Sequence, residues 1–185
     1  MTLFIIIWSI WFLSEIFLNR VFRSGKDDRR NQDQNTMRII WIAIGVANSL
    51  GIIMVFLVKL PISNNTIVPY IGLGLIAFGI FLRFFSVITL GKYFTVDITI
   101  RVNHKLKKDG IYRFIRHPSY LGSIISFIGF GISLNNVISL LIISLMVIVA
   151  MLNRIRIEEK LLQKQFGDEY IDYMKRTYRL IPWIY

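Results

Sequence analysis

The chain has no cysteine, only two histidines and four prolines, and half as many acidic as basic residues, 11 against 22. Without cysteine there is no disulfide, no thiolate nucleophile and no cysteine-ligated metal. His104 and His117 stand apart, with no HExxH or comparable cluster around them, so a protein-held transition metal is not expected. The shortage of acid leaves a net charge of +11, which on a soluble surface would suggest nucleic acid. Here the basic residues flank apolar blocks instead of interleaving with aromatics on one face. The charge therefore reads as topological, and no nucleic-acid partner is expected.

What the chain has in abundance is apolar surface. Hydrophobic residues make up 55% of it, with a mean hydropathy of +0.57, too much for a soluble domain of 185 residues to hide. The apolar residues come in blocks of about 20, the length a helix needs to cross hydrocarbon. Five blocks are expected to span: Leu3–Val21, Ile39–Val58, Ile67–Leu90, Ser119–Leu134 and Val137–Leu152. The first lacks a basic leader and a small-residue cleavage site and contains Glu15, so it reads as a retained helix. The fold class is an all-α integral membrane protein embedded in a lipid bilayer. A three-helix region, 1–90, is followed by a second region, 91–185, and the two form one structural domain.

Several features inside the blocks invite other readings. Gly72, Gly74 and Gly79 follow no strand, so they suit close helix packing and not a phosphate loop. Arg83 would be costly at a helix centre, which places it on the bundle interior or near an interface. Asn135-Asn136 splits the last two blocks as a tight turn. Residues 153–185 are amphipathic, with Leu162, Phe166, Tyr170 and Tyr173 at helical spacing and an interruption at Gly167-Asp168.

Charge sets the orientation. Arg20, Arg23, Lys26, Arg29, Arg30 and Arg38 surround the first loop, and 101–116 and 154–179 are again basic. The 61–66 and 135–136 connections carry no base. The N-terminus is thus expected outside and the C-terminus in the cytoplasm, so 92–118 and 153–185 share the cytoplasmic face. Pro118 suits the first position of a helix, whose free N–H groups favour a carboxylate or phosphate. Arg154 and Glu158 lie four apart on one helical face. By spacing alone they read as an ordinary i, i+4 ion pair, His117 as a helix cap and Tyr120 as an interfacial aromatic.

In order and spacing, the segments "HKLKKDGIYRFIRHPSYLGSIISFIGFGI" and "RIRIEEKLLQKQFGDEYIDYMKRTYRLIP" resemble the isoprenylcysteine carboxyl methyltransferase family, in the form of its small prokaryotic members. Phospholipid methyltransferases share the pattern more loosely. The likeness covers roughly residues 91–182 and joins H-x-L-x-x-x-G-x-Y, R-H-P-S-Y-x-G, R-x-x-x-E-E and F-G-x-x-Y-x-x-Y.

It implies S-adenosyl-L-methionine as methyl donor, a lipophilic acceptor reached from the bilayer, and a cofactor pocket under the C-terminal amphipathic segment. Carried over by position, His104, Lys105, Leu106 and Lys107 line the cofactor, with Tyr112 nearby. His117, Pro118, Ser119 and Tyr120 form a second wall, Glu158 takes the cofactor ammonium, and Arg154 binds the acceptor carboxylate. The family's H-T-L-V reads H-K-L-K here, a departure that leaves backbone contacts in place. The Ile- and Asn-rich composition fits a bacterial cell membrane. Two other readings stand beside this one: a nicotinamide-dependent membrane reductase of sterol-reductase-like architecture, and a non-catalytic membrane scaffold. The acceptor itself is left open among an isoprenoid acid, a quinone-like phenol and a phospholipid headgroup.

Overall fold

A computed structural model describes residues 2–22, 36–91, 94 and 106–182. His104, Lys105 and most of the first polar loop lie outside the described residues.

Among the described residues six α-helices carry the fold: α1 (Thr2–Val21), α2 (Thr36–Leu57), α3 (Ile67–Leu90), α4 (Pro118–Ser133), α5 (Val137–Phe166) and α6 (Asp168–Arg176). A short 3-10 turn, Gly110–Arg113, precedes α4. Apolar composition selects the helix because a backbone in hydrocarbon must satisfy its own hydrogen bonds. Phe12, Leu13, Phe56, Phe81, Ile88, Leu145 and Val149 all stay exposed on the long helices. Such a belt of large apolar side chains is a lipid-facing surface. The protein is an all-α, multi-pass integral membrane protein.

Among the described residues four helices, α1, α2, α3 and α5, are long and apolar enough to cross a membrane, and the fifth expected span, α4, is a shorter apolar helix. α4 has 16 residues, about 24 Å at 1.5 Å per residue, against roughly 30 Å of hydrocarbon. The last apolar block and the amphipathic segment are one helix: α5 runs unbroken for 30 residues, up to the interruption expected at Gly167. Nothing between Val137 and Phe166 breaks a helix, and the change from apolar to charged residues alters its solvent but not its backbone. Gly167, at φ 53°, ends α5 with a conformation that other residues adopt only at a cost, and α6 starts directly after it.

The packing order follows the small residues. α3 lies on α4, α4 on α5, α5 on α2, and α1 on α3. Where α3 crosses α4, Gly72 faces Gly129 and Gly79 faces Gly122, with no room for a side chain at either crossing. Gly74, expected to share that role, faces open space. Trp11 of α1 sits edge-on to Phe127 of α4 at 4.7 Å between ring centroids, sealing the core.

At one end of the bundle, the 58–66 connection meets the 134–136 turn. The Val137 amide donates to the Leu60 carbonyl at 3.0 Å, and the Asn135 side chain donates to the Ser63 carbonyl at 3.0 Å. Asn136 caps α5 by accepting from the Ser139 amide at 2.9 Å. The N-terminus of α4, the charged half of α5 and α6 therefore lie together at the opposite end.

Candidate functional site

The first turn of α4 and the middle of α5 bring the polar residues together. Arg154 sits 17 residues into α5, about 26 Å along it, so it lies where the hydrocarbon ends. Its Nε donates to the Tyr120 hydroxyl at 3.0 Å, and that hydroxyl donates to Glu158 Oε2 at 2.7 Å. Arg154, Tyr120 and Glu158 form one hydrogen-bonded chain across two helices. The i, i+4 spacing predicted a shared face, but it did not predict Tyr120 as the link. The His117 ring stands edge-on to Tyr120 at 5.7 Å, and its Nδ1 lies 4.0 Å from Glu158 Oε1.

Pro118 opens α4 as expected. His117 occupies the cap position but makes no side-chain hydrogen bond to the first-turn amides. Its imidazole turns instead to Glu159, with Nε2 and Oε1 3.3 Å apart. Ser119 is buried and accepts from Arg83 Nη1, through both its hydroxyl and its carbonyl, at 3.3 Å each. Tyr112 is buried under the same region, and its hydroxyl donates to the Ser86 carbonyl of α3 at 3.2 Å. Burial pushes its phenol well above the usual range, and the Glu158 carboxylate pushes the same way. Tyr112 thus stays a neutral hydrogen-bond donor.

The two neighbouring glutamates divide sharply. The Glu158 side chain is 29% exposed and Glu159 only 3%. Glu159 accepts from Arg116 Nε at 2.9 Å and pairs with Arg179 at 2.7 Å, in addition to its contact with His117. Arg116 reaches further, donating to the Met174 carbonyl at 3.2 Å and to the Thr177 carbonyl and hydroxyl. A single parallel bridge, Ile115 to Tyr178, lies beside it, with the Arg116 amide on the Tyr178 carbonyl at 2.9 Å. Together these contacts strap residues 177–180 against the approach to α4. Sequence reasoning treated Arg116 and Arg179 as topological charge and passed over Glu159. The doubled glutamate was the one signal available, and a buried anion holding several cations is what it encodes.

α6 folds back on this strap. The Tyr173 hydroxyl donates to the Tyr112 carbonyl at 2.6 Å, and Lys108 pairs with Glu169 at 2.7 Å. Lys107 is turned to Asp109 at 2.9 Å, so its side chain is engaged locally, and Leu106 is half-buried beside it. The Tyr170 hydroxyl is fully buried and has no hydrogen-bond partner among the described residues. Burial raises its phenol, and the Glu159 and Glu158 carboxylates raise it further. A buried donor without a partner costs about 1–3 kcal/mol, so a polar group supplied from elsewhere would satisfy it.

Chemically, one end of the membrane bundle carries a reachable carboxylate, a buried guanidinium, two aromatic rings and a helix start whose first amides lack a side-chain cap. Residues 72–164 match the Isoprenylcysteine carboxyl methyltransferase (ICMT) family. The chain is 37% identical to protein-S-isoprenylcysteine O-methyltransferase B of Arabidopsis thaliana over 61% of this chain and 58% of that protein. It is also 37% identical to protein-S-isoprenylcysteine O-methyltransferase of Schizosaccharomyces pombe, over 61% of this chain and 49% of that one. Among solved structures it resembles the eukaryotic intramembrane Ras methyltransferase ICMT, with a TM-score of 0.59 and 26% identity over 84% of this chain and 54% of that chain. The matches to the two enzymes thus take in about half to three-fifths of their length.

Proposed function

This chain belongs to the isoprenylcysteine carboxyl methyltransferase family, and from that premise we propose that it transfers a methyl group from S-adenosylmethionine to a lipophilic acceptor carboxylate at the membrane surface. The observation that carries the proposal is the Arg154–Tyr120–Glu158 chain, which sets a guanidinium for the acceptor beside a carboxylate for the donor.

The residues fit the cofactor. Glu158 would oppose an ammonium, and the first-turn amides of α4 would receive a carboxylate. The His117 and Tyr120 rings would hold a sulfonium, which aromatic faces attract as they do other cations. Ser119, Pro118, Tyr112, Leu106 and Lys107 would complete the wall, and the Tyr170 hydroxyl, which has no partner among the described residues, would donate to a bound polar group. S-adenosylmethionine supplies a methyl group already activated on positively charged sulfur.

What this chain contributes is alignment. Arg154 holds the acceptor carboxylate with its planar fork, and an ionised carboxylate needs no general base to accept a methyl group. The apolar surround excludes water, which would otherwise solvate the nucleophile. The site face is cytoplasmic in this reading.

Titration of the purified protein in nanodiscs with S-adenosylhomocysteine and, separately, NADPH tests the proposal. Saturable binding of the first and none of the second is expected. Binding of NADPH alone would replace the methyltransferase with a reductase.

A further inference from the structure

Arg83 is the one charged residue of α3, and it stands seven residues from that helix's end. Its Nε lies 2.9 Å from Glu15 Oε1 of α1, with both side chains nearly buried at 12% and 13% exposure. The carboxylate lies off the N–H direction, so the contact is an ion pair and not a hydrogen bond. The same guanidinium donates through Nη1 to the Ser119 carbonyl and hydroxyl. Ser119 directly precedes Tyr120, the link between Arg154 and Glu158. The first turn of α4 is therefore held from two sides, by Arg83 of α3 and by Arg154 of α5.

The backbones leave little slack. A Cβ added at Gly122 would lie 2.7 Å from the Gly79 carbonyl oxygen and 2.8 Å from the Arg83 amide. Through its bonds to Ser119, a shift of the Arg83 guanidinium is passed on to the first turn of α4. Glu15 lies outside residues 72–164, the part of the chain that matches the family.

We propose that the Glu15–Arg83 pair is a positioning element of the site, through which α1 fixes the first turn of α4 and with it the Tyr120 hydroxyl. The inference rests on the methyltransferase reading for its effect on function, but its geometry does not. A purely structural pair would act differently. Replacing a buried ion pair with apolar residues of similar size is often neutral or stabilising. The double variant Glu15→Leu/Arg83→Leu separates the two roles, because it keeps the bundle packed while removing the guanidinium from Ser119.

Three measurements are made on wild type and the double variant in nanodiscs: thermal unfolding, S-adenosylhomocysteine affinity, and hydrogen exchange over residues 116–123. The expected result is a retained unfolding temperature, affinity weakened about tenfold or more by the misplaced site, and faster exchange confined to 116–123. Arg83→Lys, which keeps the charge against Glu15 but loses the fork, should show the same local exchange in smaller degree and serves if the double variant does not fold. Unchanged affinity and exchange in a folded variant would overturn the positioning role and leave the methyltransferase reading intact. If wild type does not bind S-adenosylhomocysteine, the functional reading fails, and exchange at 116–123 alone decides whether the pair positions α4.

Discussion

Glu158 and Glu159 share a peptide bond and a helix, yet their surroundings give them opposite tasks. Glu158 is reachable, accepts from the Tyr120 hydroxyl and lies 4.0 Å from His117 Nδ1. Glu159 is buried under Arg116, His117 and Arg179. Glu158→Ala should therefore weaken S-adenosylhomocysteine roughly ten- to hundredfold, the equivalent of one charge-assisted hydrogen bond, with little change in unfolding temperature. Glu159→Ala should instead destabilise the fold by about 3–5 kcal/mol, because it leaves buried cations without their anion. Calorimetric titration and thermal unfolding of both variants check the contrast. An exchange of the two phenotypes would refute it. The doubled glutamate was visible in the sequence, but which member faced inward was not, since a rotation of 100° along a helix is decided by what packs against it.

At the scale of elements, the α3–α4 crossing sets the geometry on which the site depends. Gly79 and Gly122 let the two backbones touch, and this brings Arg83 within reach of Ser119. Gly122→Val should cost about 1–3 kcal/mol by overpacking and also impair cofactor binding, since it pushes the start of α4 away from α3. Gly74→Val, on α3 but facing open space, is the control and should change neither. Unfolding in detergent and a binding titration on the two variants read both effects. α3 is legible in the sequence: its bounds, Ile67–Leu90, coincide with its apolar block. α4 and α5 are less so. The length of α4 follows from where Pro118 is tethered, and the length of α5 from the absence of any breaker before Gly167.

At the scale of the whole molecule, the bundle has two unlike ends. The 58–66 connection and the 134–136 turn close one end, and the 110–117 approach, the outer part of α5 and α6 crowd the other. The absence of cysteine makes the orientation directly measurable, since any introduced thiol is the only one. In intact cells a membrane-impermeant maleimide should label Asn64→Cys, while Lys175→Cys should label only after permeabilisation. The reverse pattern would invert the proposed topology. Both positions are exposed, so access and not burial decides the outcome.

Composition and charge pattern by themselves determined that this chain lives in a bilayer, that it is helical, and which ends of its helices carry the base, because hydrocarbon penalises unpaired backbone and charge wherever they occur. The motif order pointed to the family. Only the tertiary structure decided that Tyr120 links Arg154 to Glu158, that Glu159 and Arg116 fasten the C-terminal strap, and that Arg83 is neutralised by Glu15 while holding Ser119. Those contacts join residues between 20 and 68 positions apart. No local preference encodes such partners, because each depends on the angle and closeness at which two already formed helices meet.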